Sequence, residues 1–326
     1  MERITYERAD SVESAMKSAG RPDAAFLAGG TSLVDLMKIE VLRPLHIVDV
    51  TRLDLRKIDV QQDGVRIDAL ATNTEVAQHA EIKKRLPVLC EAILSGASPQ
   101  LRNVATTAGN LLQRTRCAYY RDLATPCNKR EPGSGCSAIG GWTRMHAILG
   151  TSDFCIAAHP SDMCVALAAL EAQVHVKGPK GERDVPFAEL HLLPGDHPER
   201  EFSLAEAELI TSVFVPFSAH GARSRYVKVR DRASYAFALV SCAAAVDVQG
   251  GEIRAARLAM GGVGTKPWRV PEAEQALVGK PAQRASFQRA AEVLLAGAKT
   301  EKDNAFKVEL GKRTVVRALS LAAEVS

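Results

Sequence analysis

Four of the chain's seven cysteines, Cys117, Cys127, Cys136 and Cys155, fall in one polar stretch crowded with Pro, Gly, Asn and Arg. Such a stretch buries little apolar surface of its own, and a long irregular loop in a compact chain is usually either functional or disordered. The thiols are the groups that can hold it. Disulfides suit a small secreted domain better than a chain of 326 residues with an ample core. Zinc sites pair their cysteines about two to four residues apart. Here the gaps are nine, eight and eighteen residues, and no C-x-x-C occurs. An iron–sulfur cluster accepts four thiolates from one irregular segment. Spacing alone points toward iron–sulfur and leaves the other two open.

Ahead of the cysteines, Thr106-Thr107-Ala108-Gly109-Asn110-Leu111-Leu112 reads as a small-residue turn between apolar segments. It runs on through Gln113-Arg114-Thr115-Arg116-Cys117, then Tyr119-Tyr120-Arg121-Asp122, then Cys127-Asn128-Lys129-Arg130-Glu131-Pro132-Gly133-Ser134-Gly135-Cys136. These motifs resemble the flavin subunits of molybdenum hydroxylases, the xanthine dehydrogenase family. Within that family they are most similar to the aldehyde oxidoreductase type, whose flavin subunit carries an extra [4Fe-4S] cluster in a loop that most relatives lack. The resemblance covers nearly the whole chain, and the cysteine loop is its most specific part.

The resemblance implies an α+β chain. A two-lobed FAD-binding domain of the vanillyl-alcohol-oxidase (PCMH) type would occupy residues 1–218, with lobes of about 1–54 and 55–218 and the cluster loop at 117–155. A C-terminal α+β domain of the CO-dehydrogenase flavoprotein type, residues 219–326, would carry a three-stranded antiparallel sheet with helices. FAD and one [4Fe-4S] cluster are the implied cofactors, the latter held by Cys117, Cys127, Cys136 and Cys155. Cys90, Cys164 and Cys242 lie in apolar runs and read as core.

Residues 24–28 read as a buried strand, followed by Gly29-Gly30-Thr31-Ser32 and a run with helical apolar spacing. Strand, glycines, hydroxyls and helix start make a plausible anion cradle, or a tight turn with Ser or Thr as helix cap. The G-x-G-x-x-G fingerprint of a dinucleotide Rossmann domain is missing. In the resemblance Phe26, Leu27, Ala28, Gly29, Gly30, Thr31, Ser32, Leu33 and Val34 wrap the FAD pyrophosphate, joined by Thr106, Thr107, Ala108, Gly109 and Asn110. Asp162 reads as the N-cap of the helix after it, and by resemblance binds the flavin side of FAD. Ile210 matches the position that packs on the isoalloxazine. Lys228 reads as a solvated strand lysine or, by resemblance, as a flavin-proximal cation that stabilises an anionic reduced flavin.

Elsewhere, helices are expected over 11–18, 75–77 onward (opened by Thr72-Asn73-Thr74), 87–95, 272–277, 284–298 and 304–323. Strands are expected over 46–50 and 64–70, grouped with 24–28, and over 173–177, 207–216, 225–230, 236–248 and 253–260. The four prolines between 178 and 201 argue against a regular element of length there.

Hydrophobic residues at 46% and charged ones at 25% describe a globular chain, and a net charge of +4 is too small to argue for nucleic acid. The start, Met1-Glu2-Arg3-Ile4, leads into no apolar signal region. No apolar run approaches the roughly 18 residues of a membrane span. Membrane insertion is not expected, and export to the periplasm would need a signal-bearing partner; otherwise the chain stays cytoplasmic.

No catalytic constellation stands out. By resemblance the chain is an electron relay: substrate is oxidised at molybdenum in a large subunit, and a small subunit with two [2Fe-2S] clusters passes electrons on. The FAD of this third subunit would discharge them to an external acceptor. A stand-alone flavin oxidase of the same fold is the rival. A second rival is a nucleic-acid-binding metal loop using Arg114, Arg116, Arg121, Lys129 and Arg130, cations read here as balancing a cluster and a pyrophosphate.

Overall fold

The computed structural model describes residues 3–324. The first lobe is a parallel sheet of β1 (Thr5–Arg8), β2 (Ala24–Leu27) and β3 (His46–Asp49), with β3 in the middle. Each parallel step needs a crossover, supplied by α1 (Val12–Ala19) and α2 (Leu33–Lys38). Ser11 and Ser14 cap α1 reciprocally. As an edge strand β2 is half-buried rather than buried, and this leaves its end open to a cavity.

The second lobe is a five-stranded antiparallel sheet of β4 (Ile58–Val60), β5 (Gly64–Asp68), β6 (Gln173–Gly178), β7 (Gly181–Pro186) and β8 (Leu209–Pro216). Its order is β4-β5-β8-β6-β7. The strand at 64–68 therefore belongs here, paired with β8, and not with the first lobe: Val65 and Ile67 face the core that Val213 and Val215 complete. The stretch after residue 178 does contain a strand. Pro179 sits in the turn and Pro186 ends β7, so neither interrupts the pairing, and Gly181 adopts the positive φ the turn requires.

Between β5 and β6 run α3 (Asn73–Gln78), α4 (Ala80–Arg85), α5 (Pro87–Ser95), α6 (Pro99–Arg102), α7 (Thr107–Leu111), α8 (Ala118–Arg121) and α9 (Asp162–Ala169). Thr72 and Glu75 form the capping box of α3. The stretch expected as a turn at 106–112 is the short helix α7, capped by Thr106, whose hydroxyl accepts from the Gly109 N–H. Ser161, not Asp162, caps α9 by accepting from the Cys164 N–H. That places Asp162 at the first helical position with its carboxylate free to bond elsewhere.

One short helix, α10 (Phe187–Leu190), precedes β8. The C-terminal part is an antiparallel sheet of β9 (Ser224–Val229), β10 (Val240–Gln249) and β11 (Glu252–Gly261), with β10 central and the Gly250-Gly251 turn leading into β11. It is backed by α11 (Pro271–Gln275), α12 (Arg284–Leu294) and α13 (Phe306–Ala323). Among the described residues no helix is long and apolar enough to cross a membrane.

Candidate cofactor sites

The turn from β2 into α2 forms one wall of a cavity of about 290 Å³. Phe26, Ala28, Gly29, Gly30, Thr31, Ser32 and Leu33 line that wall, Thr106, Ala108 and Gly109 the facing one, and Ile210 of β8 the apolar floor. Gly29 is needed for close backbone approach: a Cβ there would stand 2.1 Å from the Val104 carbonyl oxygen. Gly30 holds φ at +71, where an L side chain is strained. Ser32 makes no side-chain cap bond to α2, which leaves its hydroxyl for a ligand.

The other residues expected around the pyrophosphate stand behind this surface. Leu27 and Val34 flank Gly30. Thr107 is buried and donates to the Ala71 carbonyl at 2.9 Å. Asn110 accepts from the Ser161 hydroxyl at 2.6 Å and so ties α7 to the start of α9.

Asp162 faces a second cavity, of about 150 Å³, together with Arg116, Cys117, His146, Ser161 and the half-exposed Phe237. Its carboxylate is fully engaged below: Lys228 donates to Oδ2 at 2.7 Å, and the Tyr226 hydroxyl donates to Oδ1 at 2.7 Å. Lys228 also donates to the Ser95 carbonyl at 3.0 Å. Its side chain is 4% exposed. The reading of Lys228 as a solvated strand lysine fails because β9 packs on α5, which turns residues 226 and 228 toward the head of α9. Burial and the neighbouring Asp162 push the Tyr226 hydroxyl well above its ordinary range. Ile210 and Asp162, both expected at the flavin ring, thus line different cavities.

The four loop cysteines, Cys117, Cys127, Cys136 and Cys155, line one small cavity of about 10 Å³. Cys127 and Cys136 face each other across an isolated antiparallel bridge. Among the described residues, the one group of three or more His, Cys, Asp or Glu ligand atoms within 4.8 Å of one another is His159, Cys164 and His191. The loop sulfurs are therefore spread more widely than that around their common space. Burial pushes the Cys117 thiol up to about 12. Burial also raises Cys155, against the opposing pull of Lys129. The His146 Nε2 stands 3.2 Å from the Cys117 sulfur, and burial keeps that imidazole neutral by lowering its pKa to about 4. Cys90 and Cys164 lie in the core of the second lobe and Cys242 in the C-terminal core. Beside Cys164, the His159 and His191 rings meet edge to face at 4.5 Å, with the His191 Nε2–H bonded to the Leu111 carbonyl.

The loop's cations are spent inside the fold. Arg114 and Lys129 share Glu201, Arg116 and Arg121 share Asp35 of α2, and Arg130 donates to the carbonyls of Tyr119, Tyr120 and Thr125. Leu36 and Leu42, which line the glycine-turn cavity, pack with Tyr120, Cys127 and Cys117. One layer of side chains thus separates that cavity from the thiols. Asp35, Leu36 and His146 were not read from the sequence as site residues.

Sequence comparison decides the family. Residues 2–218 match the model described as "FAD binding domain in molybdopterin dehydrogenase". Residues 225–322 match the "CO dehydrogenase flavoprotein C-terminal domain". The chain belongs to the FAD-binding subunits of the molybdopterin dehydrogenases. It is 48% identical over 325 residues, 99% of each chain, to the aldehyde oxidoreductase FAD-binding subunit PaoB of Escherichia coli K12. It is 26% identical to the carbon monoxide dehydrogenase medium chain of Hydrogenophaga pseudoflava, over 98% of this chain and 97% of that one. The solved carbon monoxide dehydrogenase from the same organism superposes with a TM-score of 0.77 at 26% identity, covering 99% of this chain and 98% of that one. Like those relatives, this molybdopterin-dehydrogenase subunit has the PCMH-type fold with a three-stranded C-terminal sheet. It is an oxidoreductase subunit, and the glycine turn lies in the part matched as FAD-binding.

Proposed function

We propose that this subunit is the FAD- and [4Fe-4S]-containing electron-transfer component of a molybdenum-dependent aldehyde oxidoreductase. The observation that carries the reading is the convergence of four loop thiols on one cavity that shares a wall with the glycine-turn cavity. The aldehyde assignment follows the 48% identity to a subunit so named.

The residues present fit both groups. For FAD, the glycine turn and the start of α7 offer backbone N–H groups and the hydroxyls of Thr31, Ser32 and Thr106 to a pyrophosphate, above an apolar floor. When bound, FAD can take electrons singly and deliver them in pairs. Asp162 would serve the flavin ring from the second cavity, and Ile210 from the floor of the glycine-turn cavity. Asp162 then serves the ring directly, and Lys228 acts through Asp162 by holding it. For the cluster, the irregular loop supplies four cysteines, with Lys129 and Arg114 beside them to offset negative charge. A single zinc ion, with bonds of about 2.3 Å, would draw its sulfurs to roughly 3.8 Å of one another. Among the described residues the loop sulfurs are not drawn together in that way.

Substrate oxidation belongs in this reading to a molybdenum subunit, and the supply of electrons to a small [2Fe-2S] subunit. The three form a heterotrimer that reduces an external acceptor. Internal use of the loop cations argues against a nucleic-acid partner. Folded export with a partner bearing a twin-arginine signal would place the assembly in the periplasm. Expression with and without neighbouring genes tests the assignment. The chain should purify with two unlike subunits and, alone, show no aldehyde turnover with dyes. It should stay in the cytoplasm when the signal-bearing partner is omitted. Robust turnover by the isolated chain would replace the relay with an oxidase.

A further inference from the structure

Among the described residues, one of the four loop sulfurs has a side-chain nitrogen within hydrogen-bond distance. Cys117 Sγ lies 3.2 Å from His146 Nε2. Cys155 Sγ receives a backbone N–H, from Ala157 at 3.5 Å. His146 is 3% exposed, and its Nδ1 is buried without a partner. The backbone that carries the imidazole is held by the C-terminal domain. Its carbonyl accepts from the buried Lys307 ammonium of α13 at 2.8 Å, and the same ammonium bonds the Gly262 carbonyl at 2.8 Å. The next residues, Ile148 and Leu149, are anchored in the core of the C-terminal domain. That domain therefore fixes a group against the cysteine loop of the FAD-binding part.

We infer that His146 is a positioning residue that donates its Nε2–H to the Cys117 sulfur and raises the reduction potential of the [4Fe-4S] cluster. The inference rests on the cluster proposed above. A thiolate bound to iron carries no proton, so the contact survives metal binding only if the imidazole is the donor. That places a ring proton on Nε2, the nitrogen that faces the sulfur. One-electron reduction adds negative charge to the cluster and its thiolates. An N–H aimed at a thiolate stabilises the reduced form more than the oxidised one, and hydrogen bonds to the sulfurs are among the recognised determinants of such potentials. Leucine at 146 would fill the same space with no donor, while glutamine would keep an amide N–H.

The experiment is an EPR-monitored redox titration, with dithionite as reductant, on the assembly purified with its co-expressed partner subunits. Wild type, His146→Leu and His146→Gln are compared, with iron and FAD measured on each sample. Both variants should keep the iron and FAD of the wild type. The cluster potential should shift negative in His146→Leu and lie closer to wild type in His146→Gln. An unshifted potential in His146→Leu with the cluster retained would overturn the role of His146 alone. Loss of iron in both variants would also overturn it, since His146 would then hold the cluster in place. A wild type without a [4Fe-4S] signal would instead remove the proposed cluster, and the inference with it.

Discussion

The loop between Cys117 and Cys155 and the sheet of β9, β10 and β11 are stabilised in opposite ways. The sheet's core is a continuous apolar set, with Cys242, Ala244, Val246, Leu258, Met260, Phe287 and Leu319 all fully buried. Apolar burial holds it together. The loop has a small apolar centre, Leu36 with Tyr120 and Cys127, and otherwise relies on side chains reaching backbone groups. Arg130 satisfies the Tyr119 and Tyr120 carbonyls, and Asn128 bridges the Gly135 N–H and the Phe154 carbonyl. Such a network orders a loop but supplies little of the apolar burial that offsets ordering entropy. A cysteine in the sheet is therefore filling, whereas in the proposed reading a cysteine in the loop is a ligand of the cluster.

The largest contrast should come from the thiols themselves. Cys127→Ser or Cys155→Ser should lose the bound iron and expose the loop to limited proteolysis, because metal binding and loop order are coupled. The C-terminal fragment should resist the same digestion. A loop that stays protease-resistant after losing its metal would erase the comparison.

A smaller effect is expected where the loop meets α2. Asp35→Ala leaves the half-buried Arg116 and Arg121 without their carboxylate, at a cost of about 1–3 kcal/mol. Since α2 also walls the glycine-turn cavity, FAD and iron per chain should fall together. Loss of one without the other would show that the two sites are independent.

Lys228→Met should separate them in the other direction. It leaves Asp162 buried without its counter-charge, and breaking such a pair costs on the order of 3–5 kcal/mol, partly recovered if the carboxylate takes up a proton. The damage is confined to the head of α9, so flavin retention should drop while iron is unchanged. The smallest effect belongs to Cys242→Ser. An unsatisfied hydroxyl in that core should lower thermal stability by about 1–3 kcal/mol and leave iron and FAD as in wild type.

What the sequence revealed follows the same division. The C-terminal strands and helices were legible because period and turn glycines agree with burial. The helix at 87–95 was legible too, its opening proline and apolar face agreeing. β6 was legible, but its partner β7 was hidden because the prolines that argue against a strand sit in the turn before it and at its end. Asp162 was given the cap that Ser161 performs, since both residue types cap helices and only geometry separates them. Lys228 was ambiguous because alternation along a strand does not say which face meets another element. The glycine turn and the loop cysteines were found by motif. Gly29 turns out to admit the Val104 backbone as well as any ligand, a constraint no single sequence displays. His146 lay outside every motif, and only the packing of the C-terminal domain brings it to Cys117.

The most direct test counts metal. Iron, zinc and FAD should be measured on the intact assembly and on the same assembly carrying Cys117→Ser, Cys127→Ser, Cys136→Ser, Cys155→Ser, Cys164→Ser or Cys242→Ser. The account predicts that each loop variant lacks about four irons per chain relative to wild type, and that the two core variants lack none. Zinc in place of that iron, or free loop thiols in the intact protein, would contradict it.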